Sequence, residues 1–218
     1  MSETVKLLKR GENVDLTRQF NGLTKYRLGL SWDLVPGKVF DLDLSILCLS
    51  DKVENGGKII DLNHLVFYGS NDPDRPGNDK RIFDLPGGGV GFKDPEGAVM
   101  HYGDCRDGAK EGDDETVKFD FSKMDPRCKA VLVVASIYDP ENKGFNFGLV
   151  KNSMVKLYKE DEDVSILAYE LKEDFSGSNC LEFVEFYLHN NEWKISALGD
   201  GNSNNFEQEL KKFGIPVE

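Results

Sequence analysis

Histidine is scarce in this chain of 218 residues, which holds three, His64, His101 and His189. None has a metal-type partner at helical spacing, and that discourages zinc chemistry. The four cysteines, Cys48, Cys105, Cys128 and Cys180, are widely spaced and form no C-x-x-C pair. Neither a zinc ribbon nor a dense disulfide framework is indicated, and free thiols are expected. Basic residues are also few, 27 lysines and arginines against 39 aspartates and glutamates, giving a formal net charge of -12. A nucleic-acid partner is excluded on that balance, because displacing counterions from a phosphate backbone needs a basic footprint. No stretch approaches the roughly 18 apolar residues that span a bilayer. The opening MSETVKLLKRGENVDL has no signal-like apolar run, so no transmembrane segment and a cytoplasmic location are expected. Catalytic signatures are missing too. There is no G-x-S-x-G elbow, and GGGVG at 87–91 has neither dinucleotide-loop spacing nor a Walker lysine, so it reads as a flexible loop.

What is present is period-two alternation. Tyr26, Leu28, Leu30 and Trp32 share one face of a strand over Lys25 to Asp33, and Phe40, Leu42, Leu44, Ile46 and Cys48 share one face of a second over Phe40 to Leu49. With Pro36-Gly37 between them, the two runs are expected to pair as a hairpin. Further strands are predicted at 64–68, 116–121, 131–138, 153–158, 166–171, 181–189 and 192–198, with Asn190-Asn191 as the last turn. Phe206, Leu210 and Phe213 recur at helical spacing, with Asn204 as N-cap, Glu207 three residues on and Gly214 at the end. The expected fold is all-β: a two-sheet antiparallel β-sandwich with a short C-terminal helix, forming one domain over 1–218. Residues 71–96, dense in Gly, Pro, Asp and Asn, read as a long loop insertion in which only RIFDL makes a short strand.

The chemistry lies in the acids. Between Asp104 and Glu115 stand six carboxylates, Asp104, Asp107, Glu111, Asp113, Asp114 and Glu115, against Arg106 and Lys110. So many like charges in one short loop repel one another, and a bound cation relieves that repulsion. Gly103, Gly108 and Gly112 let the backbone bend so that carbonyls also face inward. Calcium, which takes about six to eight oxygens in tolerant geometry, suits such a loop better than magnesium. The loop is not an EF-hand, since Arg106 and Gly108 fill the third and fifth positions and strands flank it. Other ligands must therefore come from elsewhere. Asp41 and Asp43 leave one strand face about 7 Å apart along the chain, and Asp33 closes the preceding strand at the same end. On this reading the acidic loop and the three aspartates meet in one multi-loop site.

The runs GLTKYRLGLSWD, FDLDLS, FYGS, GDCRDGAKEGDDE, VKFDFS, NFGLVKN and HNNEWKISALGDG follow one another along nearly the whole chain. In this the sequence resembles the TerD-like family of tellurite-resistance and stress-response proteins. The resemblance implies a calcium-binding β-sandwich with Asp41, Asp43, Asp104, Asp113, Asp114 and Glu115 in the calcium site. The resemblance says less about the molecular task; the first reading is a non-enzymatic, calcium-dependent interaction module in which the ion orders the loops and presents them to other proteins of a stress response. Because a related slime-mould protein is described as cyclic-AMP-binding, a small-molecule or cyclic-nucleotide binder is the second reading, and a carboxylate-based hydrolase the third. Cys105 and Asp107 stand where the family pattern has Asn and Thr.

Overall fold

A computed structural model of the chain describes residues 5–33, 35–71, 81–86, 88–103 and 112–217. In chain order the regular elements are β1 (Lys6–Leu7), β2 (Asn13–Asp15), α1 (Leu16–Gln19), β3 (Lys25–Asp33), β4 (Leu42–Leu49), β5 (Leu65–Val66), β6 (Ile82–Asp84), β7 (Val90–Lys93), β8 (Val99–His101), β9 (Glu115–Asp120), β10 (Ala130–Ile137), α2 (Pro140–Lys143), β11 (Lys151–Lys159), β12 (Ser165–Glu170), β13 (Cys180–His189), β14 (Glu192–Asn202) and α3 (Phe206–Lys212). They form two sheets, ordered β1-β12-β11-β3-β9-β8-β7-β6 and β2-β14-β13-β10-β4-β5. Pairing is antiparallel throughout except between β1 and β12, which run parallel. The sandwich expected from alternation is therefore present. Tyr26, Leu28, Leu30 and Trp32 are all buried in the core between the sheets.

The expected hairpin does not form. β3 lies in the first sheet between β11 and β9, whereas β4 lies in the second between β10 and β5, so the chain changes sheet between the two strands. Pro36-Gly37 still makes a tight turn, closed by the bridge Val35 to Lys38. The physical reason is visible in β4 itself, which is buried at every position. Leu42, Leu44, Ile46 and Cys48 face the inter-sheet core, while Leu47 and Leu49 face a second core built with Leu210, Phe213 and Ile215 of the C-terminal segment. A strand that is apolar on both faces over its second half and buried along its whole length belongs inside a sheet covered on both sides.

Helix α3 provides that cover. Its capping box is one residue later than expected, with Asn205 accepting from the Gln208 amide and Gln208 reaching back to the Asn205 amide, both at 3.0 Å. Gly214 ends it in the left-handed region, φ +82. Asn190 and Asn191 both adopt positive φ, 53 and 59, as a two-residue hairpin turn requires. Two further expectations change. The run from His64 is strand only at Leu65–Val66, because a 3-10 turn over Leu62–His64 precedes it and another over Tyr68–Asn71 follows. The insertion is not only loop. β6 and β7 pair as a hairpin at the edge of the first sheet, with Gly88 and Gly89 at positive φ in its turn. Among the described residues, Cys48, Cys128 and Cys180 are buried free thiols, and no helix is long and apolar enough to cross a membrane.

Candidate metal centre at the acidic end

One end of the sandwich collects the end of β3, the start of β4 and the start of β9. Asp113, Asp114 and Glu115 enter it consecutively and go three ways. Asp113 precedes β9, so strand alternation does not yet direct it, and it lies on the outer face of the first sheet against Gly29. A Cβ at Gly29 would stand 2.1 Å from the Asp113 carboxyl carbon, so only glycine leaves it room. The Asp113 carboxylate accepts from Arg27 at 3.1 Å and from the Tyr158 hydroxyl at 3.1 Å, with the Lys156 ammonium 3.6 Å away. Arg27 is itself stacked over the Tyr158 ring, 3.8 Å from its centroid.

Asp114 lies along the edge of β3. Its amide donates to the Leu30 carbonyl at 2.8 Å, and its carboxylate accepts from the Trp32 amide at 3.1 Å. Glu115 turns into the space between the sheets and is 1% exposed. There it accepts from the Leu44 amide at 2.6 Å, past the point where β5 stops pairing with β4. Buried His101 stands 3.7 Å from the same oxygen, too far for a hydrogen bond, and neither ring nitrogen has a hydrogen-bond partner. Sequence reasoning passed over His101. Its signal was the alternation of Val99 and His101 with Val117 and Phe119 on the neighbouring strand.

Asp43 is 4% exposed and leaves the outer face of the second sheet, opposite Ser136 of β10. It lines a cleft of about 340 Å³ shared with Tyr68, Tyr138 and Phe206. Asp41 lies just before β4, its carbonyl accepting from the Tyr138 amide at 2.9 Å. Asp33 is exposed at the end of β3 and accepts from the Asn152 side-chain amide at 2.6 Å, across the β3–β11 pair. Asp104, Asp107 and Gly108 lie outside the described residues. The structure thus brings Asp43 and Glu115 to neighbouring residues of β4 and sets Asp114 beside Glu115. Asp113 sits on the opposite face of the first sheet from Glu115, with its charge met by Arg27 and Lys156. Among the described residues these acids do not form a group of three whose ligand atoms all lie within 4.8 Å of one another; His64, Glu96 and Asp125 do, at the other end of the sandwich.

A two-sheet antiparallel sandwich that brings acids from both sheets to one end defines the class. The TerD domain model matches residues 5–213, and the chain belongs to the TerD family. General stress protein 16U of Bacillus subtilis is 34% identical over 213 residues, covering 96% of this chain and 97% of that one. A tellurium resistance protein TerD of Serratia marcescens is 28% identical over 210 residues, covering 95% and 96%. Among solved structures, a homologue of telluride resistance protein (TerD) from Streptomyces coelicolor superposes with a TM-score of 0.60 at 17% identity, over 87% of this chain and 96% of its own, a likeness of fold.

Proposed function

We propose that this chain is a calcium-binding module of the stress and tellurite-resistance response that presents its acidic end to other proteins. The observation that carries the reading is the convergence on β4. Glu115 reaches its Leu44 amide from the first sheet, and Asp43, next to Leu44, belongs to the second. The donor set fits the ion. Calcium is a hard cation that takes about six to eight oxygens, and Asp114 and Glu115 are held by backbone amides, which orient a carboxylate without cancelling its charge. Asp41, Asp43, Asp114 and Glu115 are the ligands assigned among the described residues. Asp104, Asp107 and the Gly108 carbonyl of the neighbouring loop complete the proposed set, with Asp33 at its margin.

The reading gives the acids a binding task and assigns them no catalytic step. A cyclic nucleotide is the less favoured ligand, because the cleft at Asp43 also carries Asp139, Glu141 and Glu207, whose charges oppose a phosphate. Calorimetry on chelator-stripped protein tests the proposal. We expect calcium binding with a dissociation constant between about a micromolar and tens of nanomolar. At about a hundred times that constant, calcium should add roughly 2.7 kcal/mol of stability by mass action. Absence of both the calcium heat and a shift in melting temperature rejects it.

A further inference from the structure

The other end of the sandwich carries a ligand set of different chemistry. There the turn at 94–98 joins β7 to β8, the segment 121–129 joins β9 to β10, and the 3-10 turn Leu62–His64 leads into β5. The His64 ring is buried, its side chain 3% exposed. Its Nδ1 lies 2.8 Å from Asp61 Oδ1. A carboxylate only accepts, so Nδ1 donates to Asp61, and that bond fixes the plane of the ring. Asp61 is itself fixed, because the same oxygen caps the turn by accepting from the Asn63 amide at 3.0 Å.

The opposite ring edge faces two more carboxylates. Nε2 donates to Glu96 Oε2 at 2.9 Å, a proton whose place a metal would take, and it stands 3.8 Å from Asp125 Oδ2. Around a tetrahedral ion with bonds of about 2.0–2.1 Å, ligand atoms stand about 3.4 Å apart, so each observed spacing is within about half an ångström of that value. A histidine that donates its far nitrogen to a carboxylate while its near nitrogen faces other ligands is the usual way a protein orients an imidazole toward a metal. The surrounding charge points the same way. Asp94, 1% exposed, shares the Glu96 turn, and its Oδ2 is buried without a hydrogen-bond partner. Asp61, Asp94, Glu96 and Asp125 thus face two guanidinium groups. Arg127 bridges Asp61 and Asp125 at 2.8 and 2.7 Å, and buried Arg81 lies close enough to Asp61 and Asp94 to feel both charges. Negative charge is left over.

We propose that His64, Glu96 and Asp125 form a site for a divalent transition metal of the zinc type, with Asp61 as the residue that positions His64. The nitrogen donor separates this site from the oxygen set assigned to calcium, since imidazole suits zinc and its neighbours while oxygen-only sets suit calcium. Three protein ligands leave a fourth position for water or a partner's side chain. The three come from segments flanking both sheets: β5 and β10 belong to the second, and β7, β8 and β9 to the first. A bound ion therefore ties the sheets together at the end remote from the acidic loop.

The test uses the full chain carrying Cys105→Ser, stripped with chelator and then saturated with calcium, so that neither that thiol nor the acidic end competes. Zinc is titrated by calorimetry and counted by elemental analysis, and cobalt(II) is substituted to read the ligand type from its visible spectrum. We expect one equivalent of zinc that excess calcium does not displace, and a cobalt spectrum without thiolate charge transfer. Glu96→Gln and Asp125→Asn should each weaken zinc at least tenfold, His64→Gln should abolish it, and Asp161→Asn, remote and exposed, should leave it unchanged. His64 is buried, so its variant is checked for folding by circular dichroism, and half-exposed Glu96 keeps the test decisive if that variant does not fold. No zinc uptake by the folded protein, or uptake unchanged in Glu96→Gln and Asp125→Asn, overturns the site and leaves His64 as an ion-pair clamp between Asp61 and Glu96.

Discussion

Glu115 of β9 accepts a hydrogen bond from the backbone amide of Leu44 in β4 at 2.6 Å, so a single carboxylate joins the two sheets at the acidic end. Replacing it separates structure from charge. Glu115→Ala leaves a buried amide without that acceptor and should cost about 1–3 kcal/mol. Glu115→Gln keeps an acceptor and should cost less, yet it should lower calcium affinity at least tenfold by removing a ligand charge. Urea unfolding in chelator measures the first effect and calorimetry the second. Equal stabilities for the two variants would show that the bond contributes little.

Asp43 and Asp113 have opposite expectations although both are acids near the same end. Asp43→Asn and Asp41→Asn should each reduce calcium affinity at least tenfold, about 1.4 kcal/mol or more. Asp113→Asn should change it less, because Arg27 and Lys156 already meet that charge. Gly29→Ala should act like a change at Asp113, since the new methyl takes the place of its carboxylate. Calorimetry in which Asp113→Asn proves the most damaging of these would return Asp113 to the ion's coordination sphere.

A pH dependence follows from Glu182, which faces Lys212 of α3. Burial pushes its carboxyl from 4.5 up to about 7, with Glu209 adding to the effect and Lys212 opposing it. Asp94 is raised in the same direction, from 3.8 to about 6, again by burial. A carboxyl with a raised folded pKa holds more protons folded than unfolded, so stability falls as pH rises across that interval. Unfolding free energy measured in urea should therefore be lower at pH 8 than at pH 5 for these two groups. Glu182→Gln should reduce the difference by about 1–3 kcal/mol, and an unaltered pH profile in that variant would refute the assignment.

The helix that covers β4 should be sensitive at its cap and at its buried face. Asn205→Ala removes the capping box and should cost about 1 kcal/mol. Leu210→Ala opens the second core over Leu47 and Leu49 and should cost about 2–5 kcal/mol. Thermal and urea unfolding check both. Losses of equal size would mean that the helix is held by its cap and not by the core beneath it.

Local rules made part of this protein legible from residue order. Alternation at Tyr26, Leu28, Leu30 and Trp32 identified a strand and its buried face, because successive side chains of a strand must leave opposite faces whatever the strand pairs with. The Asn190-Asn191 turn and the ending of α3 at Gly214 were readable for the same reason, each being a property of adjacent residues. The crowd of acids at 104–115 and the family likeness were equally open to reading. Tertiary structure alone decided which neighbour each strand took. β4 left β3 for the other sheet because its second half is apolar on both faces, with Ile46 and Cys48 on one and Leu47 and Leu49 on the other, and only a strand covered on both sides buries both. It also sent Asp113, Asp114 and Glu115 to an outer face, a strand edge and the inter-sheet space, which depended on Gly29, the Trp32 amide and the Leu44 amide being there to receive them. His64, Glu96 and Asp125 stand far apart in sequence, and no spacing rule links them. They meet because strand register, set by burial summed over whole sheets, brings three separate turns to one end.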